Sequence, residues 1–120
     1  MEPIVDQTRS DAPTTIDLTG WTIVRSGDAE WMPWGTRGDA RAKMLGNADG
    51  HLVMLVEAQP GYQGDPHVHD YPEFFYLIEG TLRNQGQVMR TGDGYAAAAG
   101  STHTNFATDT GATYIVIFKI

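Results

Sequence analysis

Two histidines and a glutamate form the densest group of potential metal ligands in the sequence. His67 and His69 are separated by one residue, so on a strand both imidazoles point to the same face. The segment 70–72, Asp-Tyr-Pro, predicts a turn, and Glu73 opens the next apolar run. A histidine pair from one strand and a carboxylate from the next can converge on one divalent ion.

The remaining histidines differ in their surroundings. His103 lies in a short segment after Gly100, whereas His51 follows Asp49-Gly50 at a strand start and is interpreted as an exposed polar residue. A lone His-x-His pair is more often an exposed or hydrogen-bonded pair than a metal site, so Glu73 and His103 are what favour a metal. Because the chain has no cysteine, the ligands would be nitrogen and oxygen, which suit Fe(II), Mn, Ni, Co, Cu or Zn.

Short apolar or alternating runs, separated by glycine-rich and Pro-Gly breaks about every 8 to 12 residues, must position these side chains. No window shows a sustained helical period with caps. The pattern predicts an all-β sandwich or barrel. The predicted strands are 21–25, 41–45, 51–58, 74–78, 87–90, 95–98, 103–107 and 113–120.

The last predicted strand is apolar on both faces. Tyr114, Val116 and Phe118 share one face, and Ile115 and Ile117 share the other. A strand covered on both sides fits a closed barrel or a two-sheet sandwich, with a dimer partner as one possible outer cover.

Length and charge narrow the class of protein. The 120 residues suit one domain, predicted at 14–120, after a polar segment 1–13 that is either a flexible leader or a strand-exchange arm. A net charge of -7 disfavours nucleic acid and membrane partners and leaves a small-molecule substrate or ligand. No signal peptide or long apolar stretch is visible, which predicts a cytoplasmic protein.

The segment 61–80 resembles the first sequence motif of the cupin superfamily, G-x5-H-x-H-x3-E-x6-G. The second cupin motif, G-x5-P-x-G-x2-H-x3-N, is matched in part, with Ala98 and Ala107 in place of its proline and asparagine. The chain is thus similar to small single-domain bacterial metal-binding cupins, among them the cupin domains of zinc-binding anti-sigma factors and small diketone-cleaving dioxygenases. The matched positions are Gly61, His67, His69, Glu73 and Gly80 in the first motif, and Gly92, Gly100 and His103 in the second.

This resemblance implies a jelly-roll β-barrel, also called a double-stranded β-helix, in a protein that forms a homodimer. It also implies one divalent metal ion per chain, with Fe(II) favoured over Zn, Mn, Ni, Co and Cu. The implied ligands are His67, His69, Glu73 and His103. The missing proline affects the turn before His103, and the missing asparagine lies beyond the ligands.

Three functions are compatible with such a site. The first is an Fe(II)-dependent dioxygenase acting on a chelating diketone or phenolic substrate, and the second is a metal-dependent isomerase, lyase or cyclase. The third is a ligand-binding or sensor module without catalysis. The second would gain if a tyrosine, lysine or second carboxylate lined the cavity.

Strand parity suggests which side chains line that cavity. Trp31 and Trp34 precede the motif region and are expected to cover the barrel mouth or to pack on a partner subunit. Tyr62 and Tyr71 could donate protons only if they reach the metal, and Tyr76 should face away from Glu73. The pocket candidates are Phe75, Leu77, Asn105, Tyr114, Val116 and Phe118.

Overall fold

The computed structural model describes residues 16–120, so the predicted leader at 1–13 lies outside the described residues. Apart from one 3₁₀ turn, Ser26–Asp28, the regular structure of this part is all strand, and the all-β prediction is confirmed. The strands are β1 Met32–Pro33, β2 Ala40–Ala48, β3 His51–Ala58, β4 His67–Val68, β5 Glu73–Asn84, β6 Gln87–Arg90, β7 Gly94–Ala97, β8 Thr102–His103, β9 Phe106–Ala107 and β10 Ala112–Lys119. Residues 16–120 contain no helix long and apolar enough to cross a membrane.

The strands form one curled antiparallel sheet and a separate small ladder. Neighbours in the large sheet follow the order β1-β2-β3-β10-β5-β6, and β7 and β9 also pair with β5. The first part of β5 pairs with β10 and β7, and its last four residues pair with β6 and β9. Strand β5 therefore runs through both walls of the barrel, and β4 pairs with β8 at the opening.

Gly80 lies where β5 passes from one set of partners to the other. Its φ is +100°, and a Cβ atom there would collide with the backbone oxygen of Gly111 and crowd Ala112. The pairing register of β5 with β10 also shifts nearby, between Thr113 and Tyr114. Only glycine suits both the dihedral angle and the close approach, which explains the last glycine of the first motif.

The barrel interior is packed by side chains from alternating positions of the long strands. Phe75 stands at the centre of an aromatic group, with the ring of Tyr95 stacked at 4.7 Å and that of Tyr114 also at 4.7 Å. Phe106 meets Phe75 edge-on at 5.9 Å. Other buried apolar residues are Ala42, Met54, Val56, Leu77, Leu82, Met89 and Val116.

Only the predicted strands 51–58 and 87–90 match the observed bounds at both ends, and three of the others differ in an informative way. Residues 21–25 are not a strand; this prediction was wrong because the segment pairs with no neighbour, and Trp21 is 67% exposed. The predicted strand 103–107 is broken into β8 and β9. The predicted strand 74–78 continues through Gly80 to Asn84, because β5 changes its pairing partners at Gly80 and stays paired beyond it.

Candidate metal centre

The opening of the barrel brings three histidines together. His67 and His103 are paired across the β4–β8 ladder, and His69 follows at the end of β4. The ring centroids lie 4.8 to 5.4 Å apart, and one ring nitrogen from each side chain lies within 4.8 Å of the others. His69 and His103 are buried and His67 is exposed. Three imidazoles in this arrangement could hold a metal ion.

Two of the rings are oriented by hydrogen bonds from their Nδ1 atoms. Nδ1 of His67 lies 2.9 Å from the carbonyl oxygen of Asp65, so it donates and leaves Nε2 as the free ligand atom. Nδ1 of His69 lies 2.9 Å from the hydroxyl of Ser101. That hydroxyl donates its single proton to the carbonyl of Ala98 at 2.6 Å, so it accepts from His69. Nε2 of His69 is therefore left unprotonated.

The ring of His103 is oriented by a hydrogen bond from Nε2 instead of Nδ1. Its Nε2 lies 2.6 Å from Oδ1 of Asn84, so Nε2 donates and Nδ1 carries the lone pair. Burial lowers the pKa of His103, with smaller contributions from His67 and His69, against the opposing effect of Glu73. The neutral imidazole, which is the form that binds metals, is thereby favoured.

The ring nitrogens that have no hydrogen-bond partner show whether these residues fit a metal ion. Nε2 of His69 and Nδ1 of His103 are both buried and have no hydrogen-bond partner. An unpaired buried polar atom is costly, so two of them facing one point call for a shared partner. Each has a lone pair, and a divalent cation is the partner that satisfies both.

Glu73 lies beside the histidines at the start of β5. Its Oε2 is 3.4 Å from Nε2 of His69 and 4.0 Å from Nδ1 of His103. The same oxygen accepts a hydrogen bond of 2.5 Å from the hydroxyl of Tyr95. Burial and the charge of Glu73 raise the pKa of Tyr95 far above its ordinary value, so this hydroxyl keeps its proton.

A cavity of about 390 Å³ opens next to the histidines. It is lined by Phe75, Asn105, Tyr114, Val116 and Phe118 among the predicted pocket residues. Leu77 does not line the cavity. It lies two residues beyond Phe75 on the same side of β5, where it is fully buried in the core. The other lining residues are Trp34, Gly35, Tyr62, Gly64, Asp65, His67, Glu73, Tyr95, His103 and Phe106.

The structure shows where several residues lie whose position relative to the cavity could not be predicted from the sequence. Trp34 lines the cavity and packs on Phe118 at 5.9 Å, while Trp31 lies outside, with the guanidinium of Arg41 at 4.1 Å from its ring centroid. Tyr62 reaches the cavity, and Tyr76 is exposed on the outer side of β5. His51 is exposed at the start of β3. Tyr71 is exposed and borders a neighbouring, smaller cavity.

Three residues of the site were not predicted from the sequence: Tyr95, Phe106 and Asn84. Tyr95 had a readable signal, because it is the one large residue of the predicted strand 95–98, whose other residues are alanines. Its pairing with Phe75 shows which residue it contacts. Asn84 had no such signal, since its contact with His103 depends on how the β5–β6 turn folds over β8.

The charge of the cavity lining is one-sided. Among the described residues that line it, Asp65 and Glu73 are acidic and none is lysine or arginine. The nearest guanidinium is already paired: Arg37 contacts Asp65 at 3.1 Å. Because Arg37 neutralises Asp65, a divalent ion bound beside Glu73 would leave the site with about one net positive charge, which suits a neutral or singly charged oxygen ligand.

Comparison with known proteins shows the same fold. Residues 19–119 match a family model described as the ChrR cupin-like domain. An RmlC-like cupin from Shewanella frigidimarina is 22% identical, with 81% of this chain and 88% of that chain covered and a TM-score of 0.72. A protein from Methylibium petroleiphilum, provisionally described as an acetylacetone dioxygenase, is 17% identical over 90% and 81% of the two chains, with a TM-score of 0.75.

A third similar structure is the polyketide cyclase RemF from Streptomyces resistomycificus. It is 19% identical, with 82% and 79% of the two chains covered and a TM-score of 0.71. No curated protein matches the chain. At these identities the likeness shows the fold alone, and the predicted cupin jelly-roll barrel is confirmed.

Proposed function

The chain belongs to the ChrR cupin-like domain family, and we propose that it is an enzyme using one divalent metal ion to act on a small molecule. The proposed ligands are His67, His69, His103 and Glu73. One observation carries the proposal: within a cluster of three histidines beside an aromatic cavity, two buried ring nitrogens have no hydrogen-bond partner. A structural ion alone would not explain the open space beside it.

The first candidate activity is an Fe(II)-dependent dioxygenase acting on an enolised β-diketone or a phenolic compound. When bound, Fe(II) would supply Lewis acidity and access to dioxygen. The chain would supply the walls: the rings of Phe75, Phe106 and Phe118 can hold a flat substrate and exclude water. The amide of Asn105 can orient an oxygen of that substrate through a hydrogen bond.

The second candidate is a non-redox isomerase, lyase or cyclase, and the lining tyrosines favour it. Tyr62, Tyr95 and Tyr114 all reach the cavity. Burial raises the pKa of each hydroxyl, so all three stay protonated at neutral pH. The proton of Tyr95 is used by Glu73, so Tyr62 and Tyr114 are the candidate donors to a substrate oxygen. Fixed donors of this kind stabilise an enolate, which an isomerase or cyclase requires.

Metal binding is tested first. Elemental analysis of protein purified without added metal should find about one divalent ion per chain. We expect His103→Ala and Glu73→Ala each to weaken binding at least about tenfold, because each removes a proposed ligand. His51→Ala is the matched control, since His51 is exposed and away from the site. Full metal binding by the double variant of Glu73 and His103 would rule out the four-ligand site.

The reaction class is tested next, with Fe(II)-loaded protein and a panel of β-diketones and phenols. Oxygen uptake that matches substrate loss supports the dioxygenase. Substrate loss without oxygen uptake, reduced at least about tenfold in Tyr62→Phe, supports the non-redox enzyme. Metal-dependent binding with no turnover on either panel would argue for the sensor or ligand-binding module instead.

A further inference from the structure

The turn that joins β5 to β6 is built in an unexpected way. Asn84 pairs with Gln87, so Gln85 and Gly86 form a two-residue hairpin loop. Both have positive φ, +53° and +76°, as a type I′ turn requires. Asn-Gly or Asp-Gly are the favoured pairs for this turn, and glutamine adopts left-handed dihedrals at a conformational cost. We therefore expect the contacts of the Gln85 side chain to offset this conformational cost.

The side chain of Gln85 binds the backbone on both sides of His103. Its Oε1 accepts hydrogen bonds from the amides of Thr104 and Asn105 at 2.7 and 3.1 Å, and its Nε2 donates to the carbonyl of Thr102 at 3.1 Å. The backbone amide of Gln85 also donates to the carbonyl of Asn105 at 2.8 Å. The amide side chain therefore uses its donor and its acceptor on one short loop.

The neighbouring residue holds the histidine ring itself. Oδ1 of Asn84 accepts the Nε2 proton of His103 at 2.6 Å, which turns Nδ1 of His103 toward Glu73 and His69. Thus one turn fixes both the backbone around the third histidine and the tautomer of its ring. The loop that carries His103 also has alanines where the second cupin motif has proline and asparagine, at 98 and 107.

We propose that Asn84 and Gln85 are positioning residues for the metal centre, acting through the hairpin turn on the segment that carries His103. Asn84 selects the Nε2–H tautomer of His103, and Gln85 pins residues 102–105. The inference deepens the proposed function, because it concerns the same site, but the arrangement of His103 can be observed without any metal.

The experiment separates the side chain from the turn. Gln85→Gly keeps the hairpin, since glycine adopts positive φ freely, and removes only the hydrogen bonds to the His103 loop. We expect its urea midpoint to stay at or above that of the parent protein, while its affinity for Zn(II) falls by about 10- to 100-fold. Gln87→Ala, an exposed glutamine two residues on, is the control and should bind as tightly as the parent.

Asn84 is tested through the ring of His103. In metal-free protein, ¹⁵N NMR should show the Nε2–H tautomer at His103, Asn84→Leu should lose it, and Asn84→Asp should restore it because a carboxylate oxygen also accepts the proton. Unchanged Zn(II) affinity in Gln85→Gly, or an unchanged tautomer in Asn84→Leu, would overturn the proposal. A parent protein that binds no divalent ion would refute the proposed function while leaving the tautomer experiment decisive for the turn.

Discussion

At the scale of single residues, the site is defined by which nitrogen of each imidazole is already occupied. Each imidazole donates one ring proton to a hydrogen-bond acceptor, and its other nitrogen stays unprotonated. The acceptors are the backbone carbonyl of Asp65, the hydroxyl of Ser101 and the side-chain carbonyl of Asn84. The sequence predicts where the histidines converge, because the first motif fixes their spacing. It does not predict these partners, since they come from loops whose approach depends on the folded barrel.

The buried tyrosines make a prediction about alkaline pH. The pKa values of Tyr62, Tyr95 and Tyr114 are raised in the folded protein, mainly by burial. The unfolded chain therefore releases these protons first, near pH 10, and the free energy of unfolding should fall as pH rises above about 10. Below that pH the contribution is fully present.

Ultraviolet difference absorbance of tyrosinate, followed together with circular dichroism, measures this directly. Three of the five tyrosines should stay protonated until the secondary structure is lost. Ionisation of all five before any unfolding would show that the cavity tyrosines are open to solvent and would remove the argument for their role as fixed donors.

At the scale of elements, β5 connects the two ends of the site. It presents Glu73 at its first residue and Asn84 at its last, and both face the histidine cluster through different neighbours. The bounds of β3 and β6 were predicted residue by residue, because alternation and turn residues mark both ends. The continuation of β5 past Gly80 was not, since a glycine inside a strand pattern is read as an end when its pairing partners are unknown.

The bend in β5 can be tested with two glycines that share a positive φ. Gly80→Ala adds both dihedral strain and a collision with the Gly111 oxygen, whereas Gly86→Ala adds strain alone, since nothing lies within 4 Å of its new Cβ. We expect Gly86→Ala to cost about 1 kcal/mol and Gly80→Ala to cost at least about 2 kcal/mol more.

Urea unfolding of the metal-free variants measures both costs on the same scale. Equal losses in the two variants would mean that the contact between Gly80 and Gly111 is loose. The bend would then be set by the dihedral angle alone.

At the scale of the whole molecule, the outer face of the sheet carries more apolar surface than one chain covers. Phe74, Tyr76 and Ile78 of β5 are 48%, 51% and 40% exposed. Beside them, Ile115 pairs with Tyr76 and Ile117 with Phe74 across β10. The homodimer stays a prediction, and this face is where we expect the second copy to pack.

Sedimentation equilibrium tests the predicted dimer. The parent protein should sediment as a dimer, and Tyr76→Arg should shift it toward monomer, because a buried unpaired charge would oppose association. Val88→Arg is the matched control, since Val88 is 56% exposed on β6, away from this face. A monomeric parent, or equal dissociation by both variants, would refute the assignment of the face.

The place of β10 in the sheet has a consequence for synthesis in the cell. The final strand, Ala112–Lys119, is inserted between β3 and β5 rather than added at an edge. While a ribosome still holds these residues in its exit tunnel, β3 and β5 have no shared neighbour, and their apolar inner faces stay open. Unlike a domain that condenses strand by strand as it emerges, this barrel can close only after residue 119 has left the tunnel. Until then these apolar inner faces are open to contact with other chains.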